Sequence, residues 1–136
     1  FLRSNIICRF GLPIREYCIW GDDIEYTRRI AVRGGMPCFI AGQSQVVHDT
    51  KSNVGSNVAL DDVERTGRYF YAFRNEAHLY RQEGFKGRAY CFAKRCRDFL
   101  RIILCGKEKA IRLKILIRGI WYGFFFRPVI QYIKNG

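Results

Sequence analysis

The stretch Trp20-Gly21-Asp22-Asp23-Ile24-Glu25-Tyr26-Thr27-Arg28-Arg29-Ile30 decides how this chain is read. Three acids in four positions follow an aromatic–glycine pair and open a helical pattern. Carboxylates are favoured at such a start, because the first turn leaves N–H groups unpaired and carries the positive end of the helix dipole. Tyr26, Ile30 and Arg33 share one face, and Gly34-Gly35 supplies the left-handed stop that ends helices. Beyond it, Cys38-Phe39-Ile40 and Gln45-Val46-Val47-His48 read as short strands separated by a glycine-containing turn. This order sets an acidic helix start and a lone histidine, His48, to face one polar cleft.

Outward from that core, Gly11 and Pro13 mark a turn after a short first element, and Asp49 to Asn57 is a polar loop. A second helix is predicted from Asp61, as its N-cap, to Glu83, with Gly84 as its stop. Phe85 to Leu104 has the cleanest helical period in the chain. Phe85, Ala89, Phe92, Cys96, Phe99 and Ile103 recur at spacings of three and four, as one buried face, with Lys94, Arg95, Arg97 and Arg101 off that stripe. Gly106 breaks the pattern, and a basic, apolar segment runs from Lys107 to Lys134. We divide the chain into residues 1–58, with the acidic motif and His48, and a helical region 59–136 that is basic from residue 84.

The chain has 136 residues, one domain's worth or part of a larger one, and it opens at Phe1 without a methionine. That beginning is read as a cut from something longer. The net charge of +12 is unevenly placed. Through Glu83 basic and acidic residues number 11 against 10, whereas from Gly84 onward 13 Lys/Arg face only Asp98 and Glu108. An anionic partner for the second half is implied. The six cysteines contain no C-x-x-C pair and lie far from both histidines, which argues against zinc and for buried free thiols in a reducing compartment. The longest apolar run of the tail, Gly119 to Phe126, is far below the roughly 20 residues a bilayer span requires. Aromatics flanked by Arg112, Lys114, Arg118 and Arg127 suit a helix lying in the headgroup region of an anionic membrane, or else one packing on protein.

The acids admit a chemical reading. An ionised aspartate at a helix start can take a proton from an acceptor hydroxyl as that hydroxyl attacks. A histidine at a strand end can give a nitrogen to Mn²⁺ or Mg²⁺, which would stabilise a departing diphosphate. Each residue also has a structural reading: Asp22 and Asp23 as cap and first-turn acids, Glu25 as a solvated acid or the i+4 partner of Arg29, and His48 as a strand-end histidine. His78 falls in the second helix and is assigned no role.

The combination of Gly11-Leu12-Pro13, Tyr17-Cys18-Ile19-Trp20-Gly21-Asp22-Asp23-Ile24-Glu25-Tyr26, Arg29-Ile30 and Val46-Val47-His48 resembles the acceptor half of family 2 glycosyltransferases. The subgroup it is most similar to holds the bacterial rhamnosyl- and galactofuranosyltransferases. Tyr69, Phe70, Tyr71, Arg74 and Asn75 match the aromatic-rich Arg-Asn helix that often follows there, so the resemblance covers about residues 1–82. It implies the C-terminal part of a GT-A type α/β domain and an inverting, metal-dependent transfer from a nucleotide sugar to a glycan or lipid-linked acceptor. It implies Asp23 as the catalytic base, Asp22 as its neighbour at the acceptor, and His48 as a ligand of the divalent metal. Trp20, Gly21 and Glu25 would shape the acceptor site. The implied location is cytoplasmic, peripheral to the inner face of the cell membrane. One departure stands out: the chain has no Asp-x-Asp, so the donor site is expected to lie elsewhere and this segment to be inactive alone. The alternative is a non-enzymatic basic module on an anionic membrane or on nucleic acid. Against nucleic acid, Tyr90, Phe92 and Phe99 are spaced as a core face rather than as a stacking platform.

Overall fold

A computed structural model describes residues 3–39, 41–45, 47 and 57–133. Its elements are α1 (Ser4–Phe10), a 3₁₀ turn (Arg15–Tyr17), α2 (Asp22–Arg28) running into a π-turn (Arg29–Arg33), α3 (Val63–Thr66), α4 (Tyr69–Arg81), α5 (Gly84–Cys105) and α6 (Lys109–Phe125).

The predicted α/β class is overturned: the described residues form helices and connecting turns, with no strand among them. Cys38 and Phe39, and Gln45 and Val47, are irregular, while Ile40, Val46 and His48 lie outside the described residues. The physical reason is that a run of three or four residues becomes a strand only when a partner ladder satisfies its backbone. None is present among the described residues.

The second predicted helix divides in two. The chain turns at Gly67-Arg68 between α3 and α4, and Asp61 acts otherwise than as a cap. Its carboxylate accepts hydrogen bonds from the Asp62 amide, from Arg68 and from the Tyr69 hydroxyl, and these hold it below the usual carboxylate range against the cost of its burial.

Helix α4 is central. It packs most extensively on α6 and next on α5. The approach to α6 is close because Gly119 and Gly123 present bare backbone to it: a Cβ at Gly119 would stand 2.5 Å from Cβ of Phe73, and one at Gly123 2.5 Å from Cβ of Ala77. Around this seam Val58, Ala59, Tyr69, Phe73, Ile102 and Leu116 form the core, with Trp20, Leu113, Ile115 and Ile120 against it. Two arginines tie the loops down. Arg112, 2 % exposed, donates to the carbonyls of Val58, Asp61 and Lys107. Arg81 donates to the carbonyls of Gly123, Phe124 and Phe126, satisfying the open C-terminus of α6.

Helix α5 corrects a second expectation. Its apolar stripe faces outward: Phe85 is 86 % exposed, Phe92 71 % and Phe99 46 %, with Ala89, Cys96 and Ile103 also exposed. The face turned to the core carries Gly87, Arg95, Asp98 and Ile102. Periodicity marks a face as apolar, but which face the neighbours cover depends on α4 and α6. The thiols were likewise expected to be buried. All six are free, and five are exposed, with Cys91 half-buried and its thiol pushed up by that burial.

Candidate functional site at the head of helix 2

The turn from Glu16 to Gly21 presents the acidic motif, and α4 builds that turn. Asn75 is 1 % exposed, and its Nδ2 donates to the carbonyl of Tyr17 at 2.9 Å and to that of Trp20 at 2.7 Å. Arg74 Nε donates to Asn75 Oδ1 at 3.0 Å and fixes that amide, while its Nη2 donates to the carbonyl of Glu16. The turn itself pairs the Tyr17 carbonyl with the Trp20 amide at 3.3 Å, and the side chains of α4 add a partner for each of the three carbonyls. Gly21 then takes a left-handed φ of +80°, which a residue with a Cβ adopts only under strain, and α2 starts at Asp22.

Beneath the turn lies a buried polar chain. The Tyr17 hydroxyl stands 2.8 Å from His78 Nδ1 and donates to the carbonyl of Asn75 at 3.2 Å; Gln82 Nε2 is 3.4 Å from His78 Nε2. One assignment satisfies all three contacts: His78 neutral, its Nδ1–H given to Tyr17, its Nε2 accepting from Gln82. Burial, with Arg81 adding to it, lowers the His78 pKa to about 4, and burial pushes the Tyr17 hydroxyl well above its usual range. His78 is therefore part of the scaffold under the acidic turn, a role its position in a helical pattern did not disclose. A histidine and an asparagine three residues apart on an otherwise apolar helix face were the available signal.

The three acids of the motif have different environments. Glu25 is fully buried, its two oxygens held by Arg29 and Arg33. Arg29 also donates to the carbonyls of Phe10 and Leu12, at 2.8 and 3.1 Å. Of the sequence readings for Glu25, the pairing with Arg29 is the one present, and the residue locks α2 onto the end of α1. Asp22 is half-buried and Asp23 exposed; among the described residues neither is in an ion pair. Asp23 Oδ1 accepts from the amide of Ile24 at 2.7 Å, which orients the carboxylate. Two free carboxylates on a rigid helix start are thus available to an incoming group.

Trp20 connects this helix start to a cleft of about 200 Å³ between the turn and helices α4 and α5. Its indole lies 5.3 Å from the Tyr69 ring and shares the lining with Tyr69 and Phe73. Lys94, Arg95, Arg97 and Arg101 line the other side against Glu76 and Asp98, leaving the cleft cationic. Arg95 is held by Glu76 and Asp98 through Nη2 and lies 4.5 Å over the Phe73 ring, while its Nε and Nη1 have no acceptor. An aromatic wall and a cationic wall suit a ring bearing a phosphate ester.

His48 lies outside the described residues, so its approach to the acids is not part of this geometry. Among the described residues no group of three His, Cys, Asp or Glu side chains is placed to hold a metal ion. Asp22 and Asp23 alone do not complete a ligand set for the divalent metal that the resemblance implies. Compared with known proteins, the chain matches no family model, no curated protein and no solved structure.

Proposed function

We propose that this chain is the acceptor-side part of an inverting sugar transferase, similar in kind to the family 2 glycosyltransferases. One observation supports the reading. The two segments on which the resemblance rests, 17–26 and 69–75, are distant in sequence, yet Asn75 joins them through the carbonyls of Tyr17 and Trp20. The Arg-Asn helix acts as the support that fixes the acidic turn, which is reason enough for the two motifs to occur together.

In this reading Asp23 takes the proton from the acceptor hydroxyl. The hydroxyl oxygen forms its bond to the anomeric carbon on the side opposite the nucleotide, the bond from that carbon to the diphosphate breaks, and a nucleoside diphosphate leaves. Asp22 orients the acceptor, and Trp20 offers its face to a sugar ring. The cationic cleft beside Trp20 suits an acceptor that carries a phosphate or diphosphate, as lipid-linked glycans do. His48 would give one ligand to a divalent metal, which would offset the charge of the departing diphosphate. The place of work is the inner face of the cell membrane. Among the described residues no helix is long and apolar enough to cross a membrane.

The test is transfer by the intact transferase, followed as nucleoside diphosphate release with a panel of nucleotide sugars and membrane-extracted lipid acceptors. Asp23→Asn should abolish transfer and leave nucleotide-sugar binding unchanged. Turnover at the wild-type rate would remove Asp23 from the mechanism.

A further inference from the structure

The exposed stripe of α5 needs an occupant. We infer that it is the surface by which the protein seats on an anionic bilayer, lying along the headgroup region with Phe85, Phe92, Phe99 and Ile103 towards the acyl chains. The inference rests on the membrane part of the reading above and is independent of sugar transfer.

Three observations carry it. First, the geometry is that of an interfacial helix. At 3.6 residues per turn the six stripe positions fall within an arc of about 80°. The helix has 22 residues and a length of about 33 Å. Second, the charges around the stripe have one sign. Arg88 and Lys86, exposed on α5, stand on either side of the stripe at about 60° and 100° from its centre, whereas the one carboxylate of α5, Asp98, lies on the core face and is paired with Arg95 and Arg97. Cations bordering an apolar arc, without interrupting it, match phosphate headgroups above acyl chains. Third, the same charges oppose a second copy as occupant. Two such stripes face to face would bring these cations together with no carboxylate between them.

Aromatics among cations could also stack nucleic-acid bases. The stripe, however, includes Ala89, Cys96 and Ile103, which have no ring to stack, and the cations stand beside it rather than between the rings. Helix α6 also exposes apolar residues, Ile117, Trp121, Phe124 and Phe125. Lys114 falls within that arc and breaks it, with Arg118 at its edge, so α5 is the better-formed surface.

The experiment is co-sedimentation of the full chain with phosphatidylserine–phosphatidylcholine vesicles and with pure phosphatidylcholine, for wild type, Phe92→Asp/Phe99→Asp and Trp121→Asp. Circular dichroism checks that each variant keeps its helix content. Wild type should bind the anionic vesicles and not the neutral ones. The α5 double variant should lose at least tenfold in partitioning and Trp121→Asp less than threefold, while Arg88→Gln should cost about fivefold. Loss confined to Trp121→Asp would overturn the assignment to α5 and leave membrane binding intact. No binding by wild type would overturn both. A dimer that the α5 variant dissolves, or competition by a single-stranded oligonucleotide, would give the surface to a different occupant and overturn the inference as well.

Discussion

Replacing Asn75 with alanine tests the support of the acidic turn most directly. The side chain is 1 % exposed and makes three hydrogen bonds: two donated to the carbonyls of Tyr17 and Trp20, and one accepted from Arg74 Nε. Alanine removes all three. The carbonyl of Tyr17 keeps the Trp20 amide at 3.3 Å as a partner, so it and the half-buried carbonyl of Trp20 each lose one hydrogen bond, about 1 kcal/mol apiece. Arg74 can turn to water and contributes little. The expected loss is on the order of 2 kcal/mol. For a chain of this size that lowers the Tm by about 7 °C. Urea unfolding followed by circular dichroism measures it, with the slope of the transition unchanged. On the proposed function, the same variant of the intact protein should raise the acceptor KM and lower kcat while the donor KM stays constant, because the turn carrying Asp22 and Asp23 loosens. A stability change below about 0.5 kcal/mol would refute the claim that Asn75 holds this turn.

Glu25→Gln should destabilise by about 3–5 kcal/mol in the same urea assay, because it leaves Arg29 and Arg33 facing a neutral amide in a buried site, whereas Asp22→Asn should stay within about 0.5 kcal/mol. Gly123→Val should cost about 1–3 kcal/mol or more by forcing α6 away from Ala77, seen as a lower urea midpoint with loss of near-ultraviolet dichroism. His78 is held at about 4 in the fold against 6.5 when unfolded, so its contribution is complete above pH 6.5 and is lost as the pH falls towards 4. Over that window it is on the order of 3 kcal/mol, and His78→Gln should flatten the pH dependence of stability by that amount.

Much of the helical organisation was legible because its signals are local. The start of α2 is written in Gly21-Asp22-Asp23, its end in Gly34-Gly35, and the break between α4 and α5 in Gly84, where φ is +70°. Strands were misread because their evidence is non-local: Cys38-Phe39-Ile40 has strand composition, but composition does not supply a partner. The site divides the same way. That Asp22 and Asp23 begin a helix follows from the motif; that Glu25 is buried by two arginines, with Arg33 reaching it from eight residues on, follows from how α2 packs on α1. Asn75 was noted for its place in a motif, and its work became visible only when the Tyr17 turn lay beside it. Gly119 and Gly123 lie inside an apolar basic tail whose composition hides them, although two glycines four apart are what a close helix crossing requires.

The outward apolar face of α5 bears on the proposed function. A helix packed on one side commonly shows an apolar stripe towards the core and polar residues outside. Here the order is reversed: Arg95 and Asp98 are inside, paired with each other, with Arg95 also paired to Glu76, and the phenylalanines are outside. Burying an ion pair in place of an apolar contact gives little or no stability, so packing alone does not favour this orientation. Something else must favour the outward stripe. The inward charges line the cleft beside Trp20, and the outward aromatics are flanked by Lys86 and Arg88, so on the proposed reading one helix faces two anionic surroundings, one of them a pocket and the other a plane. A transferase whose acceptor hangs from a lipid by a diphosphate would use both at once, with the pocket taking the head of the acceptor and the plane taking the bilayer that holds its tail. If α5 were simply a core helix, exchanging Phe92 and Phe99 for aspartate would do nothing to vesicle binding, and exchanging Arg95 for leucine would stabilise the fold without affecting the acceptor KM.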